Sequence, residues 1–508
     1  MKKLLSLFSL MTCLCLFLSG CGNASRQIAQ VAVTLPPAQS PCAAPAEDET
    51  PSRTAVYALY LPDESGALAA VNVRLTLNPF LPAAGQLAQA LLSYRGEDGT
   101  ALPRQEYLAL AGPVEVSCGV ATVNLTRQAL SLSREQLYTV FQALANTLCQ
   151  TDGVTAVNLT VDGAAPGLDA ACETPAGLLR ANRTDDLSTL WGRAVAQKNA
   201  LGSAQRLSQE AALYFPAQAG MGILCESRAL AFSSADPAAL TRMLLDALSQ
   251  GATVLEGLPD LPALTSLLAA DPEISGEGTD KILTLRFQEG LNDALLTCGV
   301  PRSALLASLV YTLTGYLPGV SGLTVQIGDS LVSSASPEGT YTGAGSTILF
   351  ENSVIRRSQM SLFLLSRCTL YFADANGALC PAERDIPWDK TRDPRFLISQ
   401  LTLGPRYYDI AARGLTAAFP TEMTDSDLIG VSWREDGTVA LNFSLWLGTL
   451  CQRMDGEGEA KTVYALVNTL TELTDVTQVC LFIDGRQEGL QTLSLAGVFL
   501  RNPDIIAR

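Results

Sequence analysis

The sequence predicts an α+β chain built from tandem modules. Each is roughly ββαββαβ, an antiparallel-rich sheet with helices packed on one face. Three observations predict it. An apolar strand running into a glycine-bearing turn occurs three times. Downstream of each lies an amphipathic helix, and after each helix comes a strand closed by Asp-Gly or Gly-Asp. Repetition in this order marks one structural unit copied along the chain.

The opening hairpins come first. Leu59-Tyr60-Leu61-Pro62-Asp63-Glu64-Ser65-Gly66 recurs as Leu213-Tyr214-Phe215-Pro216-Ala217-Gln218-Ala219-Gly220, and again as Leu370-Tyr371-Phe372-Ala373-Asp374-Ala375-Asn376-Gly377. Each enters a turn followed by a second strand-like run, such as 70–77 or 379–386, which is a hairpin signature. Earlier helices follow over 87–94, 240–248 and 394–403.

A strand pair comes next. In the third copy Ile429, Val431 and Trp433 alternate, Asp436-Gly437 turns, and Val439, Leu441 and Phe443 alternate back. The first copy matches with 114–117 and 120–125, the second with 282–287. In the first copy's later helix Leu137, Phe141, Leu144 and Leu148 share a face, and Ser133 with Gln136 forms a capping box. Leu306, Leu309 and Leu313, then Val463, Leu466 and Leu470, are its equivalents. The closing strands are 154–161, 320–327 and 476–483, ended by Asp162-Gly163, Gly328-Asp329 and Asp484-Gly485.

The first twenty residues read as an export signal. Lys2 and Lys3 precede an apolar stretch, 4–18, of about fifteen residues, too short for a comfortable membrane span. It ends in Leu18-Ser19-Gly20-Cys21, which resembles the lipobox of bacterial lipoproteins. In that family the cysteine is lipidated and the preceding segment removed, so Cys21 is the expected lipidation site. The chain is then anchored on the extracytoplasmic face of the cell membrane. Two or three acyl chains hold stably where one does not.

The expected organisation is a signal peptide (1–20), a flexible Pro/Ala-rich linker (21–54), a first module (55–182) and a connecting helix or linker (183–209). A degenerate second module (210–357) and a third (367–505) complete it. The linker carries Pro36-Pro37, Pro41, Pro45 and Pro51 with little periodicity.

Composition excludes several function classes. Of 508 residues 48% are hydrophobic and 17% charged, which is globular usage. The net charge of −16 opposes nucleic acid as a partner, because phosphate binding needs a basic surface. Histidine is absent, so there is no Ser-His-Asp triad, no Cys-His dyad and no imidazole-ligated metal. Beyond Cys13, Cys15 and Cys21, ten cysteines stand singly with no CxxC. They point away from a metal site and towards buried thiols, with a disulfide or two compatible with export.

Asn124-Leu125-Thr126, Asn442-Phe443-Ser444 and Leu466-Val467-Asn468-Thr469-Leu470 carry a family resemblance, as do the closing strands and the tail 497–502. With Leu144-Ala145-Asn146-Thr147-Leu148 and the tail 177–182, they resemble the GerMN domain. In the second copy Val310-Tyr311-Thr312-Leu313 replaces the Asn-Thr-Leu core.

The resemblance implies a lipoprotein of sporulation or spore germination in Firmicutes, with a fold similar to ring-building secretion modules. It also implies a non-enzymatic scaffold or assembly role, without cofactor or catalytic residues. Implied partners are other envelope proteins or further copies of the chain. Three copies set the chain apart from a single-module spore protein.

The residues give little chemistry to set beside this. Asp63 and Asp374, and Asp162 and Asp484, are either paired acids or cation ligands, or short polar residues that turns require; the turn reading is preferred. No G-x-S-x-G elbow or phosphate-cradling glycine loop occurs. Trp388, Trp433 and Trp446 lie in the third copy. Core packing is the preferred role for them. Stacking on wall sugars is the alternative, and would make the protein a peptidoglycan binder or an accessory to a wall hydrolase.

Overall fold

The computed structural model describes residues 42–97, 99–168, 174–200, 207–339, 341 and 347–507. The export signal, Cys21 and most of the linker lie outside the described residues.

In the first module strands β1 (Arg53–Pro62) and β2 (Leu68–Leu77) form the antiparallel hairpin. Helix α1 (Ala83–Ser93) follows, then β3 (Glu115–Ser117), β4 (Gly119–Leu125), α2 (Arg134–Leu148) and β5 (Val154–Val161). A connecting helix, α3 (Leu187–Ala200), leads on.

The second module repeats the order with β6 (Leu207–Pro216), β7 (Ile223–Phe232), α4 (Pro237–Ser249), β8 (Glu273–Ser275) and β9 (Lys281–Phe287). A short helix, α5 (Leu291–Cys298), precedes α6 (Arg302–Tyr316) and β10 (Val320–Ile327). Two-residue strands β11 (Ser330–Leu331), β12 (Ser334–Ala335) and β13 (Ile348–Leu349) trail it.

The third module has β14 (Leu365–Ala373), β15 (Leu379–Pro387), α7 (Pro394–Thr402), α8 (Tyr407–Arg413), β16 (Leu428–Trp433) and β17 (Thr438–Phe443). Helices α9 (Leu445–Cys451) and α10 (Gly456–Leu470) and strand β18 (Gln478–Ile483) end it.

The α+β class and the tandem repetition are as expected, but the sheets are divided differently. Each hairpin is a separate two-stranded sheet, while β3-β4-β5, β8-β9-β10-β11 and β16-β17-β18 form their own. Within these the first pair is antiparallel, but the closing strand runs parallel to its neighbour, as β4 with β5, β9 with β10 and β17 with β18. A strand–helix–strand order demands this, because the helix carries the chain back before the second strand begins.

The hairpin stays apart because a helix occupies the edge of its first strand. Tyr60 N–H donates to Thr147 Oγ1 at 3.1 Å. Ala58 N–H donates to Gln150 Oε1, and Gln150 Nε2 donates back to Ala58 O. The capping box at α2 forms as its sequence requires: Gln136 N–H to Ser133 Oγ, and Ser133 N–H to Gln136 Oε1.

Helix α6 is buried over its whole length after Arg302. Its sequence is apolar all round, the pattern of a helix surrounded by protein. Among the described residues no single helix is long and apolar enough to cross a membrane.

Residues 42–49, expected as part of a flexible linker, instead lie across the third module's sheet. Glu49 N–H donates to Val431 O, Val431 N–H donates to the Asp48 carboxylate, and Asn442 Nδ2 donates to Pro45 O. Arg395 pairs with Asp48 at 2.7 Å. Strands β17 and β18 are buried on both faces. Ala440, Cys480 and Phe482 point away from the main core, and Cys42, Ala44 and Val498 cover them. The cover removes apolar surface from water, and this holds the segment in place.

Candidate functional site: the junction of the three modules

The residues singled out by sequence serve the modules individually. Asp63 accepts from the N–H groups of Ser65 and Ala67, and Asp374 from those of Asn376 and Ala378, so both close their hairpin turns. Those bonds hold the Asp63 carboxyl below its ordinary value, with the Ser65 hydroxyl foremost. Asp162 and Asp484 adopt left-handed φ of 54° and 49° in the turns after β5 and β18. Asn124 Oδ1 accepts from Gly163 N–H, and Asn442 Oδ1 from Gly485 N–H, so each asparagine fastens the turn that ends the neighbouring strand.

The three tryptophans play different packing roles. Trp433 is 8% exposed, with Phe80 of the first module edge-on at 5.8 Å. Trp388 packs against the second module's core. Trp446 is half-buried, with the Arg453 guanidinium 5.2 Å from its ring.

The modules share internal fastenings. The N–H groups of Tyr60, Tyr214 and Tyr371 donate to Thr147, Thr312 and Thr469 at 3.1, 3.0 and 3.2 Å. A tail arginine lies over each of these tyrosine rings: Arg183 at 5.2 Å, Arg357 at 5.5 Å and Arg501 at 5.4 Å. In the first and third modules an amide clasp secures the tail. Asn146 Nδ2 donates to Asn182 O while Asn146 Oδ1 accepts from Asn182 N–H, and Asn468 does the same with Asn502.

The second module has Tyr311 where the others have that asparagine, and here the repeat becomes a junction. Tyr311 OH donates to a carboxylate oxygen of Glu115, in the first module, at 2.9 Å. Arg357, 6% exposed, reaches the other Glu115 oxygen through Nε and Nη2 at 3.1 and 3.0 Å, and its Nη2 also donates to Tyr214 OH. Its guanidinium lies 4.0 Å from the Tyr311 ring. Burial disfavours the charged form of Arg357, but Tyr214 and Glu115 outweigh it and raise its pKa. Burial pushes the Tyr214 and Tyr311 hydroxyls far up, so both are neutral donors at any physiological pH.

Beside this network Ser117 touches all three modules. It sits in the first module, its hydroxyl donates to Leu365 O at 2.5 Å in the third, and Cys225 N–H of the second donates to it at 3.0 Å. Gly222 makes the approach feasible: at φ 153° a Cβ there would fall 2.2 Å from Phe363 O. Leu364 then pairs parallel with Ile223. Across the other contact, Arg392 donates to Pro79 O at 2.9 Å and pairs with Asp475 at 2.7 Å.

None of the junction residues stands out by type or spacing in the sequence. The one available signal is that Tyr311 breaks the repeat at a helix position where its copies carry asparagine.

At the junction the Arg357 guanidinium is met by the Glu115 carboxylate and by the Tyr214 hydroxyl, so these groups bind one module to another. Elsewhere, Glu226 is ringed by Arg228 and by the N–H groups of Thr253 and Val254. Glu459, fully buried, accepts from the N–H groups of Gln491, Thr492 and Leu493. Burial raises the thiols of Cys118 and Cys451 to about 11 and that of Cys368 to about 12, so these stay protonated and unreactive at neutral pH. Among the described residues no three His, Cys, Asp or Glu side chains gather as a metal site.

The family model for "Germane: Sporulation and spore germination" matches residues 58–166 and 369–489. The second module lies between the two matched stretches. No curated protein sequence matches the chain.

Among solved structures, the chain is similar to the tandem GerMN domains of the sporulation protein GerM from Bacillus subtilis. Identity there is 19%, over 60% of this chain and 99% of that one, with a TM-score of 0.22. It is also similar to the first GerMN domain of the same protein, at 21% identity over 26% of this chain and 98% of that one, with a TM-score of 0.19. A putative lipoprotein from Clostridium perfringens is 16% identical over 27% of this chain and 87% of that one, with a TM-score of 0.18. Through these matched stretches the first and third modules are similar to the sporulation and spore germination family, and the chain resembles a GerM-like protein.

Proposed function

We propose that the protein is a non-enzymatic, lipid-anchored scaffold on the extracytoplasmic face of the cell membrane, serving sporulation, germination or envelope organisation. The observation that carries this reading is the junction. Glu115, Tyr214, Tyr311 and Arg357 put a charged pair and two tyrosines to use in fixing modules to one another. A chain that uses its buried polar groups for module-to-module contact is organised to present outer surfaces in fixed relation. The lipobox-like Leu18-Ser19-Gly20-Cys21 supplies the anchor in this reading, and the net charge of −16 keeps nucleic acid and anionic headgroups from being partners.

Because faces between like modules are consumed within the chain, other envelope proteins fit this reading better than a homotypic ring. The engagement of Trp388 and Trp433 in packing likewise favours protein partners over wall glycan.

The test begins in the producing cells. Radiolabelled palmitate is expected to enter the wild-type chain and not Cys21→Ala, and the variant is expected to leave the membrane fraction. Crosslinking of intact cells is expected to trap a second envelope protein. Retention on purified peptidoglycan, lost in Trp446→Ala, would overturn the scaffold reading in favour of the glycan binder. Unlabelled Cys21 would overturn the anchor.

A further inference from the structure

The segment covering the outer face of the third module's sheet contains a cysteine, and the surface it covers contains another. Cys42 is half-exposed and packs with Ala44 and Val498 over Ala440, Cys480 and Phe482. The Cys42 thiol lies within hydrogen-bonding reach of the Cys480 thiol, and Cys480 is 1% exposed. Neighbouring bonds hold the segment against the sheet. Pro45 O is bound by Asn442 Nδ2 at 2.9 Å on β17, Asp48 by Val431 N–H on β16, and Cys480 Sγ points at Gly497 O at 3.4 Å. Both are free thiols packed against one another, which is the proximity that a bridge requires.

We propose that Cys42 and Cys480 are joined by a disulfide that pins residues 42–49 to the third module. The pairing is not predictable from sequence, where these are two of ten scattered cysteines.

The chemistry is thiol–disulfide exchange with a disulfide-bearing oxidant, such as oxidised glutathione or an exported thiol oxidoreductase. The half-exposed Cys42, as thiolate, attacks a sulfur of the oxidant and expels one thiolate, giving a mixed disulfide. Cys480 then loses its proton and attacks Cys42 Sγ, expelling the second. One S–S bond forms in the protein and one breaks in the oxidant, which leaves as two thiols with the two electrons and two protons. Burial pushes the Cys480 thiol up, so Cys480 is the slower attacker and acts second, on a partner sulfur packed against it.

The consequence is mechanical. Pull arriving along residues before Cys42 passes directly into β18 of the third module and does not first peel residues 42–49 from the sheet. An oxidising environment in cells follows from the exported location proposed above; the geometry does not depend on it.

The test uses the full chain, purified in detergent and treated with oxidised glutathione. Digestion without reductant is expected to yield the Cys42 peptide linked to the Cys480 peptide. Cys42→Ser and Cys480→Ser are each expected to abolish the linked species. Endoproteinase cleavage after Glu47 is expected to slow by about tenfold on oxidation, since local opening of the segment then requires more of the sheet to open.

Recovery of both thiols in alkylated form without reductant would overturn the proposal, as would finding Cys42 bridged to any other cysteine. Finding the chain in the cytoplasm would overturn the exported reading, and the glutathione experiment would still decide the bridge.

Discussion

Tyr60 N–H donates to Thr147 Oγ1 at 3.1 Å, joining the free edge of the first hairpin to a helix, and the same bond recurs between Tyr214 and Thr312 and between Tyr371 and Thr469. Its persistence in the second module shows what that module has kept. The asparagine before the threonine has become Tyr311, but the threonine remains.

Substituting valine for Thr312 keeps the shape and removes the acceptor from a fully buried site. The expected loss is about 1–3 kcal/mol, the cost of an unsatisfied buried N–H. Thr312→Ser is expected to lose less. Thr147→Val is expected to lose less than Thr312→Val, because Tyr60 is half-buried and water can reach its edge. Denaturant midpoints at constant slope check the order, and equal losses in all three variants would refute it.

Arg357→Met tests whether the junction holds the modules together. Removing the guanidinium leaves the Glu115 carboxylate buried against Tyr311 without its counter-charge. The expected cost is about 3–5 kcal/mol. Glu115→Gln combined with Arg357→Met is expected to cost clearly less than the two single losses added, since the stranded charge is gone. Calorimetry is expected to show the single cooperative transition of the parent splitting in Arg357→Met, as modules melt separately.

Much of each module was legible because it rests on short-range rules. The hairpins follow from Gly66 and Gly377 with alternating apolar residues, the α2 start from Ser133 and Gln136, and the closing strands from β-branched runs ended by Asp-Gly. The parallel pairing of β4 with β5 was legible too, since α2 lies between them in sequence, and it sits among pairings that are otherwise mostly antiparallel.

The junction was not legible. Glu115, Ser117 and Arg357 are ordinary polar residues whose meaning depends on partners more than a hundred positions away, and no local pattern encodes such a pairing. The packed segment 42–49 was hidden for a related reason: its composition is that of a linker, and its order comes from the uncovered apolar face of β17 and β18. That second apolar face was itself visible, as Ala440, Cys480 and Phe482 alternate with Val439, Leu481 and Ile483.

Glu226 ties stability to pH. Burial opposes its charged form, but the Val254 and Thr253 N–H groups, the Thr253 hydroxyl and Arg228 outweigh burial and hold its carboxyl at about 2, against an ordinary 4.5. Because the folded value lies below the unfolded one, the unfolded chain binds the proton first on acidification. The stabilisation is complete above the unfolded value and is lost as pH falls from about 4.5 to about 2, amounting to about 3 kcal/mol. Glu226→Gln is expected to be less stable than the parent at pH 7 and to lose less stability across that window. Urea unfolding at stepped pH measures both slopes, and parallel curves would refute the assignment.

The tail clasp sets how firmly the C-terminal residues are held. Asn468 has no exposure, donating from Nδ2 to Asn502 O at 3.1 Å and accepting Asn502 N–H at 2.9 Å through Oδ1. Asn468→Asp keeps the acceptor and loses the donor, while Asn468→Ala loses both. If the two-sided amide holds the tail, amide hydrogens of residues 497–502 exchange faster in the order Asn468→Ala, Asn468→Asp, parent, with those of β17 unchanged. Arg501 keeps its contact with Glu472 and Tyr371 in all three proteins, so the tail is expected to loosen and not to detach. Unchanged exchange in Asn468→Ala would show that Arg501, and not the asparagine, holds the tail.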